Sequence, residues 1–197
     1  MKGDINMIKL KDNDIRDVLL NDLYKKYSHD TETKIVNEMG VLHGQSRVDV
    51  ATINGIFHGY EIKSESDTLE RLPTQIEDYN KVFDRVTLVV SSTHLEKAKI
   101  LVPKWWGIIE VKKKLDTILF KNVRKGRINK NIDPSSLIQL LWKEEAKNLL
   151  IEKGLERGYL SKPKYVMYDR LVDSVELDIL KSDISRTIRS RENWLNH

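Results

Sequence analysis

The sequence predicts an α/β fold in which a mixed central sheet is flanked by helices and followed by a C-terminal helical appendage. Three observations carry this expectation. Hydrophobic periodicity runs in the order helix, three strands, helix, strand, helix, strand. Residues 85–92, RVTLVVSS, form a continuous apolar run of strand length, the type buried on both faces of a sheet. Beyond about residue 120 the pattern turns helical, which divides the chain into a core at 1–120 and a basic connector with a helical region at 121–197.

Each element has a local reason. DNDIRDVLLNDLYKKY (12–27) sets Ile15, Val18, Leu19 and Leu23 on one helical stripe, and Asp12 or Asn13 can cap its start. KIVNEMGVL (34–42) reads as a short strand closed by glycine. RVDVATI (47–53) and IFHGYEIK (56–63) are β-rich runs around Asn54-Gly55, a strong hairpin signal. SESDTLERL is a loop or a single helical turn, and Pro73 suits the first turn of a helix through TQIEDYNKVF. HLEKAKILV reads as a helix, and WWGIIEV, after Pro103, as a strand. Asp133-Pro134 caps and starts one amphipathic helix, SSLIQLLWKEEAKNLLIEKG, that ends at Gly154. YVMYDRLVDSVELDILKSDISRTIRSRENWL reads as further helix.

At 197 residues one domain removes roughly 70% of its unfolded surface from water, so no covalent staple is required. The absence of cysteine excludes disulfides, Cys-type zinc sites and thiol nucleophiles. His29, His43, His58, His94 and His197 lack ligand spacing. GxGxxG, GxxxxGK[ST] and GxSxG are all absent. No apolar run approaches the ~20 residues of a membrane span, and MKGDINMIKLKDND has no secretory core, so no membrane association and a cytoplasmic address are expected.

The net charge of +4 averages unlike halves: 15 basic and 18 acidic residues in 1–111, against 19 and 12 in 112–197. KKKLDTILFKNVRKGRINKN (112–131) holds eight basic residues against Asp116 alone. A basic segment beside an acidic domain fits a metal in one part and phosphates in the other; a solvated linker is the competing explanation.

The candidate constellation is Asp49, Glu61-Ile62-Lys63, and Gln75 with Tyr79 on the following helix. An acid-x-Lys triplet alone means nothing here: 30 acidic residues and 23 lysines in 197 positions give about 3.5 by chance, and four occur. Glu61-x-Lys63 differs by ending the second arm of a hairpin whose first arm carries Asp49. A two-residue turn would set Asp49 opposite Tyr60, among apolar neighbours. A three-residue loop, Asn54 to Ile56, sets Asp49 against Glu61, with Val48 and Val50 facing Ile62 and Tyr60 on the other side. Hydrophobic pattern favours the second register, or a bulge that achieves it, leaving one face apolar and the other acidic.

Two facing carboxylates repel unless one is protonated or a cation lies between them. An all-oxygen donor set suits Mg²⁺ or Mn²⁺, and Lys63 beside it can orient or help deprotonate a water for hydrolysis of a phosphodiester. Glu38, on the preceding strand, could supply a third carboxylate. Gln75 and Tyr79, four apart, share a helix face and could bond a phosphate or hold Lys63. Ordinary roles stay open: a cross-strand ion pair of Asp49 with Lys63, Gln75 and Tyr79 as sheet cover, and Glu38 solvated.

These residues resemble the PD-(D/E)XK nuclease superfamily, including members with a Q-x-x-x-Y helix. RVDVATING, HGYEIKSESDTLERLPTQIEDYNKVFDRVTLVV and VPKWWGI are, more closely, similar to an uncharacterised family of small bacterial and phage proteins assigned to that superfamily. The resemblance covers about residues 12–111. It implies a restriction-endonuclease-like sheet, a divalent metal at Asp49 and Glu61 with help from the Ile62 carbonyl, Lys63 in catalysis, and Gln75 and Tyr79 in support. Glu38 would be the added acidic residue. Val48 stands where many members carry a proline.

The expectation is therefore a Mg²⁺- or Mn²⁺-dependent nuclease acting on DNA, with RNA and a homodimer left open. Arg47, Lys112, Lys113, Lys114, Arg124, Lys125, Arg127 and Lys130, with Arg186, Arg189 and Arg191 in the last helix, would hold the phosphate backbone without reading sequence. The competing classes are a catalytically inactive nucleic-acid- or protein-binding module on the same fold, and a regulator that docks through Trp105-Trp106.

Overall fold

The computed structural model describes residues 10–114 and 117–192. The start of MKGDINMIKLKDND, Asp116, the helix expected through 193–195, and His197 lie outside them. Six strands form one sheet in chain order: β1 (Lys34–Val41), β2 (Ser46–Ile53), β3 (Phe57–Lys63), β4 (Arg85–Ser91), β5 (Gly107–Lys114) and β6 (Thr117–Arg124). Neighbours are parallel across β3, β4 and β5, and antiparallel at both ends. The parallel centre follows from its connections, since α2 (Leu72–Val82) and α3 (Leu95–Leu101) are the crossovers that parallel strands require.

Helix α1 (Asp12–Lys26) lays Ile15, Leu19 and Leu23 on Val50, Tyr60, Ile62, Val89 and Val111. Asp14 caps it, accepting the Lys11 backbone N–H at 3.1 Å. The opposite face of the sheet packs on α2, with Leu72, Tyr79 and Val82 against Val48, Phe57, Val86 and Leu88. Residues 64–71 are turns, and Pro73 sits in the first turn of α2.

The expected register of β2 and β3 is the observed one. Asn54 to Ile56 make the loop, Gly55 takes the left-handed conformation there (φ +90°), and the ladder pairs Ile53 with Phe57 and Val50 with Tyr60. The division into one apolar and one acidic face does not hold. Glu38 has φ +50°, and β1 and β2 pair Asn37 with Val50 and Met39 with Val48. Both strands change faces at this step: Val48 joins the α2-side cluster while Val50 joins the α1-side cluster. Both sheet faces are thus apolar, and Glu61 stands inside the α2-side core at 2% exposure.

The chain beyond 120 departs from expectation in two ways. The stretch read as a basic connector contains β6, which turns Ile118 and Phe120 toward the α1-side cluster and leaves Thr117, Leu119 and Lys121 outside. Residues 134–152 form not one helix but α4 (Pro134–Leu137), a 3₁₀ turn (Ile138–Leu140) and α5 (Lys143–Glu152). Leu137, Ile138, Leu140 and Leu141 are all buried, and the break lets neighbouring residues do what one helical stripe could not. Asp133 caps α4 by accepting the Ser136 N–H, and Glu145 accepts the Trp142 N–H at 2.6 Å to start α5. Gly154 (φ +67°) ends it as expected.

α6 (Lys164–Ser174) and α7 (Leu177–Ser190) are the last elements of the described residues. Leu149, Met167, Leu171, Leu180, Ile184 and Ile188 share one cluster with Val36, Met39, Ile53 and Phe57. Ser185 accepts the Gly55 N–H at 3.0 Å, and Lys181 meets Asp84 at 2.6 Å, so this helical region is anchored on the sheet.

Candidate functional site

At the C-terminal end of β3, Glu61 and Lys63 share the face toward α2, being two apart in a strand. Lys63 Nζ lies 2.6 Å from Glu61 Oε1. From α2, Gln75 Nε2 donates to the same oxygen at 2.6 Å, and the Tyr79 hydroxyl lies within donating distance of both Glu61 Oε2 (2.8 Å) and the Arg47 carbonyl (2.7 Å). The four-residue spacing of Gln75 and Tyr79 thus converges on Glu61 rather than on Lys63. Burial, then the charge of Glu61, holds the Tyr79 phenol far above its ordinary value, so it stays a donor. Gln75 Oε1 is buried without a partner among the described residues.

Asp49 is held differently. Its Oδ2 accepts the Ile62 N–H at 2.6 Å and its Oδ1 meets Arg16 of α1 at 2.8 Å. Burial, and next the charge of Glu61, pushes its carboxyl up to about 7; the Ile62 N–H and Arg16 only partly oppose this. Arg16 also bonds Asp12 at 2.8 Å and Glu38 at 3.2 Å. Burial disfavours the Arg16 charge, but Asp49, Asp12 and Glu38 outweigh it and hold the guanidinium above its ordinary value.

Glu38 does not join Asp49 and Glu61 as a third carboxylate. Its side chain is 46% exposed and lies between Arg16 and Arg47, at the kink where its own φ is positive. Among the described residues no three His, Cys, Asp or Glu side chains are grouped to hold a metal. The donors that remain, Asp49 and Glu61, are all oxygens, the kind a hard divalent cation takes, and the Asp49 carboxyl is raised first by burial and only then by the charge of Glu61.

Asp12 and Arg16 are the site residues that sequence reasoning missed. The signal was available, because 12, 16, 19 and 23 follow one helical stripe and the charged pair continues the apolar one. Beside the site a cleft of about 530 Å³ opens between Glu38, Arg47, His43, Trp142 and Lys164. His43, which lines it, has a positive φ (+56°), as does the buried Leu42 before it (+50°).

The basic residues sort into three groups. Arg47 is exposed at the edge of the site and pairs with Glu38; Lys112, Lys113 and Lys114 are exposed at the end of β5, Lys112 lying 3.4 Å from Glu110. Lys125, Arg127 and Lys130 are exposed after β6, whereas Arg124 is half-buried and donates to the Trp106 and Pro103 carbonyls. The three C-terminal arginines are structural, contrary to expectation. Arg186 bonds Glu152 and Asp183, Arg189 bonds Glu32, and buried Arg191 grips Glu145 and stacks on Trp142. Trp105-Trp106 offers no docking pair either: Trp106 is wholly buried and donates to Asn80, and Trp105 packs on the same core. No helix of the described residues is long and apolar enough to cross a membrane.

Comparison with known proteins matches residues 7–195 to the family described as Bacteriophage P4 protein cII. Protein cII of Enterobacteria phage P4 is 31% identical over 146 residues, 74% of this chain; the chain spans 55% of that relative's length. A solved protein of unknown function from Silicibacter pomeroyi is 20% identical and aligns over 70% of this chain and 90% of its own, with a TM-score of 0.37.

Proposed function

The chain belongs to the family of bacteriophage P4 protein cII, and from the geometry of the site we propose that it is a metal-dependent nuclease of the PD-(D/E)XK type, hydrolysing DNA phosphodiester bonds. The observation that carries this reading is the convergence of Lys63, Gln75 and Tyr79 on Glu61, next in the chain to the Ile62 N–H that bonds Asp49, whose carboxyl is raised to about 7. A structural ion pair needs Lys63 and Glu61 alone. Three donors around one carboxylate fix its position as a ligand would have to be fixed.

Asp49 and Glu61 would hold Mg²⁺ or Mn²⁺, with the Ile62 carbonyl adjacent, and the ion would supply a Lewis acid and a more acidic bound water. Lys63 Nζ, on the rim of Glu61, orients the attacking water and meets charge on the phosphate. Gln75 and Tyr79 hold Glu61 in place. Arg47 and the exposed lysines of 112–114 draw in the backbone, and the cleft beside Glu38 gives it room.

The test is incubation with linear, circular, branched and single-stranded DNA and RNA, with Mg²⁺, Mn²⁺ or EDTA. Cleavage requires the ion, and Lys63→Ala lowers it about 10²–10⁴-fold while binding in EDTA is kept. Equal cleavage by that variant refutes the assigned role. One observation favours a binding module without catalysis: Arg16 and the Ile62 N–H already satisfy both oxygens of Asp49. Titration calorimetry separates the readings, since only the nuclease takes up Mg²⁺ or Mn²⁺ in a way that Asp49→Asn abolishes.

A further inference from the structure

A second charged feature lies at the other end of the parallel strands. Arg85 opens β4 as the register partner of His58, whereas Val90 on the same strand partners Lys63. Five residues separate the two positions, about 16 Å along the sheet at strand rise. Here Arg85, Lys104, Arg124, Lys125 and Arg127 line a pocket of about 590 Å³, within the usual range of small-ligand sites of about 300–1,000 Å³. Three different segments supply them: the start of β4, the loop before β5, and the end of β6 with its following turn.

Among the described residues no carboxylate lies within ion-pair distance of these five cations, although most other arginines of the chain are in ion pairs. Arg124 and Arg127 spend bonds on the carbonyls of Pro103, Lys104 and Trp106, which fixes them at the wall without neutralising them. Arg85 Nε is buried and has no acceptor among the described residues. Burial and then the neighbouring charge of Arg127 lower the Arg124 guanidinium below its ordinary value. Solubility lysines would point apart into water. These groups are gathered around a concavity, and the missing partner is a multivalent anion.

We propose that this pocket is a phosphate-anion receptor, which binds a strand phosphate of the nucleic acid remote from the Asp49–Glu61 end of the sheet. The nucleic-acid source rests on the function proposed above; the receptor itself does not. A separation of about 16 Å corresponds to roughly five nucleotide steps at 3.4 Å per strand phosphate, so one strand can reach both ends. Arg85 and Arg124 act as the fixed donors, and Lys104, Lys125 and Arg127 as the mobile rim.

The test uses the full chain in EDTA, where cleavage plays no part. Calorimetry with pyrophosphate and fluorescence anisotropy with a labelled oligonucleotide are run over a salt series on wild type and on Lys104→Ala/Lys125→Ala, two exposed side chains without bonded partners. A control, Lys97→Ala/Lys162→Ala, removes equal charge elsewhere. The receptor predicts loss of pyrophosphate uptake and about tenfold weaker oligonucleotide binding in the pocket variant, with a salt slope shallower by about two. Unchanged pyrophosphate uptake, or an equal loss in the control, overturns it. Pyrophosphate uptake lost only in the pocket variant, with no oligonucleotide bound by wild type, keeps the receptor for free phosphoanions and removes the nucleic-acid reading.

Discussion

Asp49→Asn isolates the electrostatic claim at the centre of the site. In the folded protein this carboxyl keeps its proton up to about 7, against 3.8 in a free chain, because it is buried beside Glu61. Between those values the folded state holds a proton that the unfolded chain has released. Stability from this group is therefore present at low pH and declines as pH rises from 3.8 through 7. The slope is about 1.4 kcal/mol per pH unit and the whole window about 4 kcal/mol. Asparagine cannot titrate and leaves the rest of the protein's pH response in place.

The assay is urea unfolding of wild type and variant from pH 4.5 to 8.5 in EDTA. The variant pays a fixed cost for the lost Arg16 contact, and on top of it the wild-type advantage shrinks by about 2–3 kcal/mol between pH 5 and 7. A difference that stays flat over this range would falsify the buried, repelled state of Asp49, and one that grows with pH would make Arg16 the dominant neighbour. Adding Mg²⁺ at pH 8 raises the melting point of wild type, by mass action on the folded state, and leaves the variant unmoved.

Arg191→Ala breaks a buried pair in which the arginine side chain is 4% exposed and Glu145 is 14% exposed; about 3–5 kcal/mol of stability is lost in denaturant titration, with oligonucleotide affinity per folded molecule unchanged. Gly107→Ala places a methyl group 2.8 Å from Thr87 Oγ1 and 3.1 Å from the Gly126 nitrogen, where a buried strand edge cannot retreat. It costs about 1–3 kcal/mol by the same measurement.

The parts of the fold legible in the sequence were those decided locally. Asn54-Gly55 and the alternation on both sides of it were enough to set the hairpin register, Ile53 with Phe57 through Val50 with Tyr60, because turn length and side-chain period leave few alternatives. The change of faces at Glu38 was hidden, since nothing in a glutamate announces a positive φ. β6 was masked by the basic residues in and around it: the period-two signal of Ile118 and Phe120 is only two residues long. Arg186, Arg189 and Arg191 look the same in sequence as the arginines that line the basic pocket. What separates them is whether an acid distant in sequence reaches them, and Glu32, Glu145 and Glu152 do so only once the chain has folded.

The charges at the site explain why both functional readings turn on Arg16. Asp12, Glu38, Asp49 and Glu61 face Arg16, Arg47 and Lys63, so the ionised cluster carries one net negative charge and repels a phosphodiester. On the nuclease reading a divalent ion would reverse that sign, and its uptake would be a condition for substrate approach as well as for chemistry. Yet Asp49 has no idle oxygen: one is on the Ile62 N–H and the other on Arg16. The backbone bond is fixed by strand pairing, so it is Arg16, on a long side chain with Asp12 and Glu38 as alternative partners, that can yield. On that reading Arg16 is the counter-charge of the ion-free protein, and Asp12 and Glu38 would keep it satisfied once an ion took Asp49.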